Sequence, residues 1–154
     1  MDKKNCINSL FYNIGQTARI CQAFCESYFK EYARGEISYD EFIILDTVLC
    51  YPDVCQRDLA KHILKGTSHT SKLLATLEKK GLIERPIDKK GNRIVRKITV
   101  TDNGLILHSF AAQIALDFSE KIEATLGEHG AVLCSNFLNK IKENVLANTD
   151  IVFE

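Results

Sequence analysis

The spacing of apolar residues between positions 56 and 99 constrains the fold of this chain more than any other feature. Up to residue 80 they recur every three or four positions, which is the period of one helix face. This spacing predicts a short helix, capped by Asp53, and a second helix from about Thr67 to Lys80. Gly81 is the expected end of the second helix, because glycine readily adopts the left-handed conformation that terminates helices.

Beyond residue 81 the pattern changes to the alternation of a β-strand. Two short runs, residues 82–85 and 94–99, are rich in β-branched side chains. The basic segment 86–93 between them contains proline and glycine, which favour turns. We therefore expect a β-hairpin with a charged loop at its tip.

The flanking segments are predicted to be helical. Apolar residues at helical spacing indicate a helix from about Cys6 to Ala33 and a long helix, capped by Thr101, that runs to about Leu126. Glycines at positions 127 and 130 are expected to break the helical pattern, and a last helix is predicted from Ala131 to about Ala147. The segment Ser38–Glu41 has the spacing of a capping box and starts a helix that must end before Pro52. The expected fold class is mainly α with a small β-hairpin (α+β).

Charge is segregated along the chain, although its total is zero. Residues 57–97 hold twelve Lys and Arg against four Asp and Glu, so the remainder carries an equal excess of acidic residues. A basic segment in an acidic chain is typical of a surface that meets a polyanion, because only that surface faces phosphate.

Two short helices, a tight turn and a basic hairpin together predict a winged helix-turn-helix. In that arrangement the second helix enters the major groove of DNA, and the hairpin, or wing, follows the backbone or the minor groove. The candidate DNA-contacting residues near the start of that helix are Thr67, Ser68, His69, Ser71 and Lys72. On the wing they are Lys89, Lys90, Asn92 and Arg93, of which Arg93 best suits insertion into a narrow minor groove.

The stretch from Ser38 to Gly104 resembles the MarR family of transcriptional regulators. The resemblance rests on Leu59 and Ala60, the run from Ser71 to Arg85, the wing from Asp88 to Arg93, and the stretch from Ile98 to Gly104. The helices on either side are similar to the dimerisation helices of that family. Residues 1–36 and 101–154 would then serve dimerisation, and residues 37–100 would form the DNA-binding domain.

This resemblance implies a homodimer that binds double-stranded DNA at a pseudo-palindromic operator. Members of the family are usually repressors that a small ligand or an oxidant releases from DNA. Two-fold symmetry would place the two recognition helices one turn of DNA apart, about 34 Å. The apolar stripes of the first and last helices agree with self-association, because one small core cannot bury both.

Two kinds of releasing signal stay open. Some relatives bind aromatic acids between the DNA-binding and dimerisation regions, which makes Tyr12, Arg19, Tyr39 and Phe42 the candidate contacts for such a ligand. Other relatives sense peroxide through a cysteine in the first helix. Cys6 is the best-placed thiol for this role, because it lies beside two lysines near a helix start.

The chain departs from the family pattern in the turn between the two motif helices. Leu64 stands where the family usually has glycine, and Lys65 stands where it has an apolar residue. We therefore expect the turn to be displaced toward Gly66. The wing is also one residue longer than is usual in the family.

Other classes of function find no support in the sequence. It contains no paired nucleophile and base, no paired carboxylates and no glycine-rich phosphate loop, so we expect neither enzymatic activity nor a cofactor. Its histidines and cysteines lack metal-ligand spacing. No apolar run is long enough for a membrane span, and no secretory signal is evident, so we expect a cytoplasmic protein with reduced cysteines.

An alternative function also stays open. A winged helix can act as a protein-interaction or assembly module whose basic face meets an acidic partner. The two functions differ in their salt dependence, because each phosphate contact to DNA releases a counterion and steepens the fall of affinity with salt.

Overall fold

The computed structural model describes residues 6–90 and 93–148, of which residues 88–90 and 93–95 are described by their backbone alone. The described residues form two compact units, divided in sequence between Tyr39 and Asp40. No helix within the described ranges is long and apolar enough to cross a membrane.

The first unit is dominated by one helix. A single 3-10 turn, Cys6–Asn8, precedes α1 (Leu10–Tyr32). Ser9 caps α1, since its hydroxyl accepts a hydrogen bond from the Tyr12 backbone N–H at 3.2 Å. The helix predicted from Cys6 to Ala33 is thus confirmed except for its first turn, which is a separate 3-10 turn.

The second unit begins within helix α2 and contains the remaining elements. These are α2 (Tyr39–Cys50), α3 (Gln56–His62), α4 (Thr67–Lys79), β1 (Ile83–Glu84), β2 (Ile87–Lys90), β3 (Arg93–Arg96), β4 (Thr99–Val100) and α5 (Asp102–Asn148). Its core is aliphatic. The side chains with almost no exposure include Ile44 and Leu45 of α2, Leu59 of α3, Leu74 and Leu77 of α4, and Ala111 of α5.

The start of α3 differs from the prediction. Cys55, and not Asp53, is its N-cap residue. Residues 51–54 close a turn in which the Val54 N–H donates to the Tyr51 carbonyl at 3.0 Å, so Asp53 lies too early to cap the helix. The Asp53 carboxylate lies instead 3.6 Å from the Lys97 ammonium group.

The turn between α3 and α4 also differs from the prediction. It is not displaced toward Gly66, which has a φ of −65° and is the N-cap residue of α4. Leu64 itself adopts the left-handed conformation, with a φ of 54°. The Lys65 N–H donates to the Ala60 carbonyl at 3.0 Å, and the Leu64 N–H donates to the Lys61 carbonyl at 3.2 Å. This is a Schellman motif with leucine at the position that glycine prefers.

Leu64→Gly is therefore expected to stabilise the protein by about 0.5–1 kcal/mol, because glycine relieves the strain of a left-handed backbone in a residue with a Cβ. Little packing is lost, since Leu64 is 53% exposed. Urea unfolding of Leu64→Gly and Leu64→Ala tests this. Alanine keeps the Cβ, so a gain in both variants would contradict a backbone origin.

The hairpin contains more strand than the sequence predicts. The predicted loop 86–93 is largely occupied by β2 and the start of β3, which pair in antiparallel register with Lys90 opposite Arg93. A separate ladder pairs β1 with β4 at the base of the hairpin. The pairing is interrupted between the two ladders at Pro86, because proline has no backbone N–H to donate. The Pro86 carbonyl still accepts a hydrogen bond from the Lys97 N–H at 3.1 Å.

Helix α5 begins as predicted. The Thr101 hydroxyl accepts the Gly104 N–H at 3.1 Å and donates to the Gly81 carbonyl at 2.7 Å, so it caps α5 and ties it to the end of α4. Gly127 interrupts α5 with a left-handed backbone (φ 68°, ψ 160°). The predicted break at residues 127–130 is therefore confirmed, and it lies at Gly127.

Candidate nucleic-acid interface

The amino-terminal half of α4 presents a polar face. The buried side chains of the whole helix are Thr70, Leu74 and Leu77. The Thr70 hydroxyl donates a hydrogen bond to the Gly66 carbonyl at 2.9 Å. The other polar side chains of the first turns are therefore left on the outer face. Thr67, Ser68, His69 and Lys72 are exposed there, and Ser71 is half-buried.

This face has the chemistry needed at a DNA surface. Hydroxyl and imidazole groups can donate to or accept from base edges, while a lysine attracts phosphate. The free backbone N–H groups at the start of α4 add a partial positive charge in the same place. All five side chains that the sequence singles out on this helix thus lie within two turns of its positive end.

Asp40 is a component of this surface that sequence reasoning missed. One oxygen of its carboxylate, Oδ2, lies 3.1 Å from Lys65 Nζ and 3.4 Å from His69 Nε2. Asp40 belongs to the first turn of α2, far from both partners in sequence. No local spacing could have indicated this contact, because only the packing of α2 beside the turn before α4 creates it.

Several cations of the basic segment are engaged by carboxylates. Lys80 Nζ lies 2.8 Å from an oxygen of Glu41, whose side chain is only 5% exposed. Arg85 pairs with Glu78. The hydrogen bonds that its guanidinium group donates to the Glu78 carboxylate are the main reason why the pKa of that carboxyl is lowered. Lys61 is 3.7 Å from Asp58. The charge excess counted from the sequence therefore overstates the positive charge free to meet phosphate.

Two lysines of α4 are more available. Lys72 and Lys79 are exposed, and neither makes an ion pair with any side chain that the structure describes. Lys72 shares the outer face with the predicted DNA-contacting residues, whereas Lys79 lies in the last turn. Lys72 is the stronger candidate for a phosphate contact.

The predicted wing residues fall at the hairpin end. Lys89 and Lys90 belong to β2 and Arg93 to β3, with Lys90 and Arg93 as cross-strand neighbours. Asn92 lies outside the described residues. The backbone thus places three of these four basic and polar positions together at the far end of the hairpin from β1 and β4.

The four candidate contacts for an aromatic ligand lie in different settings. In the first unit Tyr12 accepts a hydrogen bond from Gln16 at 2.8 Å, Arg19 is exposed on α1, and Tyr39 packs edge-on against Phe29. In the second unit Phe42 is 6% exposed and stacks on His108. His108 Nε2 also lies 2.9 Å from Asp46 Oδ1, a pairing that sequence spacing did not reveal.

The cysteines differ in accessibility. The pKa of the Cys25 thiol is raised, mainly because the side chain is buried. Cys25 is therefore a poor source of thiolate. Cys6 is exposed in the 3-10 turn before α1, so an oxidant can reach it. All six cysteines are free thiols, and the described residues hold no cluster of metal-ligating side chains.

A polar helix start beside a basic hairpin, held on a helical core, defines a winged helix-turn-helix DNA-binding protein. Residues 37–95 match the family model described as the MarR family. The matched segment contains α2, α3, α4, β1 and β2, so the similarity to that family covers the helix-turn-helix and most of the hairpin. A search of curated protein sequences gives no significant match.

Solved structures share this fold at low sequence identity. A MarR/EmrR family regulator from an Acinetobacter species is 16% identical with a TM-score of 0.79, covering 91% of this chain and 96% of its own. S. aureus MepR, solved as a DNA complex, is 20% identical with a TM-score of 0.72, covering 88% and 96%. A Mycobacterium tuberculosis MarR family protein, solved with salicylic acid, is 19% identical with a TM-score of 0.66, covering 86% and 98%.

Proposed function

We propose that this protein is a homodimeric repressor that reads a pseudo-palindromic operator through α4 and contacts the flanking DNA through the wing. The observation that carries the proposal is the exposed polar face at the positive end of α4, where Lys72 lies beside the base-reading candidates. Thr67, Ser68, His69 and Ser71 would read base edges, and Lys72 would contact phosphate. On the wing, Lys89, Lys90, Asn92 and Arg93 would contact the backbone or the minor groove.

Exposed apolar side chains support the dimer. On α1 they include Leu10, Phe11 and Phe24, of which Phe11 is 88% exposed. On α5 they include Phe110, Leu116, Phe137 and Leu138. Apolar stripes of this kind are unfavourable when they are exposed to water, unless another surface covers them. A second copy of the chain would cover them.

A small aromatic acid is the releasing signal that we favour. The salicylic acid complex of the M. tuberculosis relative supports this class of ligand. Tyr12, Arg19, Tyr39 and Phe42 are its candidate contacts, since a guanidinium group can pair with a carboxylate and the rings can stack on an aromatic ligand. The second candidate is an oxidant acting on Cys6, which the exposure of that thiol favours. Adding salicylate or peroxide separately to the protein–DNA complex distinguishes the two.

Lys72→Ala tests the proposed interface. If Lys72 of each subunit contacts a phosphate, the slope of log affinity against log salt should become shallower by about 2 for the dimer, with affinity at least about tenfold weaker at 0.1–0.2 M salt. Arg93→Ala should behave in the same way. The measurement is a salt titration of binding to a duplex selected from random sequence, with the stoichiometry of the complex measured in parallel.

Lys140→Ala is the matched control, because Lys140 is an exposed lysine of α5 outside the basic segment. It removes the same charge and should leave the salt slope unchanged. Equal slopes for Lys72→Ala, Arg93→Ala and Lys140→Ala would contradict the proposed interface, and a stoichiometry of one chain per operator would contradict the dimer.

A further inference from the structure

Asp40 joins two basic groups of the helix-turn-helix with one carboxylate oxygen. Oδ2 is 3.1 Å from Lys65 Nζ in the turn and 3.4 Å from His69 Nε2 in the first turn of α4. The side chains of Asp40 and Lys65 are 26% and 29% exposed, whereas His69 is 49% exposed. The imidazole is therefore held from its inner side while its outer side remains open to solvent.

The contact determines which ring nitrogen is available to DNA. A carboxylate only accepts hydrogen bonds, so the neutral imidazole must carry its proton on Nε2 to donate to Asp40. Nδ1 is then an unprotonated acceptor. In the major groove an acceptor recognises the exocyclic amino group of adenine or cytosine, and it is repelled by guanine O6 and thymine O4.

We propose that Asp40 is a positioning residue that determines base specificity: it orients His69 so that Nδ1 accepts a hydrogen bond from a base amino group. This inference rests on the proposed role of α4 as the recognition helix. Asp40 does not touch DNA in this arrangement. It acts through His69, and it would set the preference at one position of each operator half-site.

Asp40 also has an effect of charge that must be separated from its effect on orientation. Its carboxylate repels phosphate and partly neutralises Lys65, so its removal should tighten binding to any DNA. For a dimer the salt slope should become steeper by up to about 2. A matched control is needed that removes a carboxylate paired with a basic residue but not with His69. Asp53 provides it, since it lies 3.6 Å from Lys97.

The test is selection of bound sequences from random duplex DNA by the full-length protein and its Asp40→Asn, His69→Ala and Asp53→Asn variants. The wild-type protein should favour adenine or cytosine by about tenfold at one position per half-site. Asp40→Asn should reduce that preference to about twofold or less and leave the other positions unchanged, because an amide can present a donor to Nε2 and reverse the tautomer. His69→Ala should lose preference at the same position.

Asp53→Asn should keep the wild-type preference, and Asp40→Glu, which retains a carboxylate, should restore most of it. Thermal unfolding of each variant shows whether it is folded before selection. A full preference in Asp40→Asn, or a loss in Asp53→Asn of equal size, overturns the role of Asp40. If His69→Ala keeps the wild-type preference, the proposed role of Asp40 is wrong as well, although α4 can still be the recognition helix. Failure of the wild-type protein to enrich any sequence would instead contradict the proposed function itself.

Discussion

Gly104→Ala is expected to destabilise the protein by about 3 kcal/mol and to weaken DNA binding. A Cβ at this position would lie 2.1 Å from the Leu82 carbonyl oxygen and 2.7 Å from Val100 Cγ1. The Leu82 carbonyl cannot withdraw easily, because it accepts the Thr101 N–H at 3.0 Å. The first turn of α5 rests on the end of α4 and the base of the hairpin at this point, so the clash separates elements that support the DNA-reading face.

Gly130→Ala provides the matched control within α5. The nearest heavy atom to a Cβ there is Leu126 Cβ at 3.4 Å, which is an ordinary contact. Alanine should therefore be neutral or stabilise the helix by up to about 1 kcal/mol, in line with the helix propensities of the two residues. Thermal and urea unfolding compare the two variants. If Gly104→Ala unfolds at the same temperature and urea concentration as the wild-type protein, the close approach of α5 to Leu82 is wrong.

Lys80→Met is expected to destabilise the protein by about 2 kcal/mol, since it leaves a buried carboxylate without its cation. Lys80 Nζ lies 2.8 Å from Oε1 and 2.9 Å from Oε2 of Glu41, whose side chain is 5% exposed. The Lys80 side chain is 34% exposed, which places the expected cost below that of a fully buried pair. Methionine keeps most of the aliphatic length, so the loss reflects charge more than packing.

The neighbouring Lys79→Met variant is the control. Lys79 is exposed and makes no ion pair with a described side chain, so its replacement should change the free energy of unfolding by less than about 0.5 kcal/mol. Glu41→Gln combined with Lys80→Met should cost less than Lys80→Met alone, because the buried charge is then removed with its partner. Equal effects of Lys79→Met and Lys80→Met in urea unfolding would contradict a stabilising role for the pair.

The helices were predictable from sequence because their signals are local. The end of α4 shows this: Gly81 adopts a φ of 69°, and the Leu82 N–H donates to the Leu77 carbonyl, which completes the expected glycine stop. Thr101 likewise caps α5 as predicted. Residues within four positions of each other decide these features, so a single sequence carries the information.

The errors arose where a local rule met a neighbouring constraint. Asp53 is a good capping residue by type, but the preceding turn assigns that position to Cys55. Leu64 is a poor left-handed residue by type, yet it adopts that conformation because α3 and α4 must be joined there. The strand β2 extends through a segment of turn-forming composition because β3 supplies its hydrogen-bond partners.

The sequence by itself determined the order of the elements, the glycine stop of α4 and the Thr101 cap of α5. It also located the basic segment and the polar residues at the start of α4. Only the tertiary structure decided which of those charges are free. Glu41 engages Lys80, and Asp40 engages Lys65 and His69, although residues distant in sequence form both contacts. Periodicity and capping act over a few residues, whereas an ion pair depends on where the packing of helices brings two side chains in space.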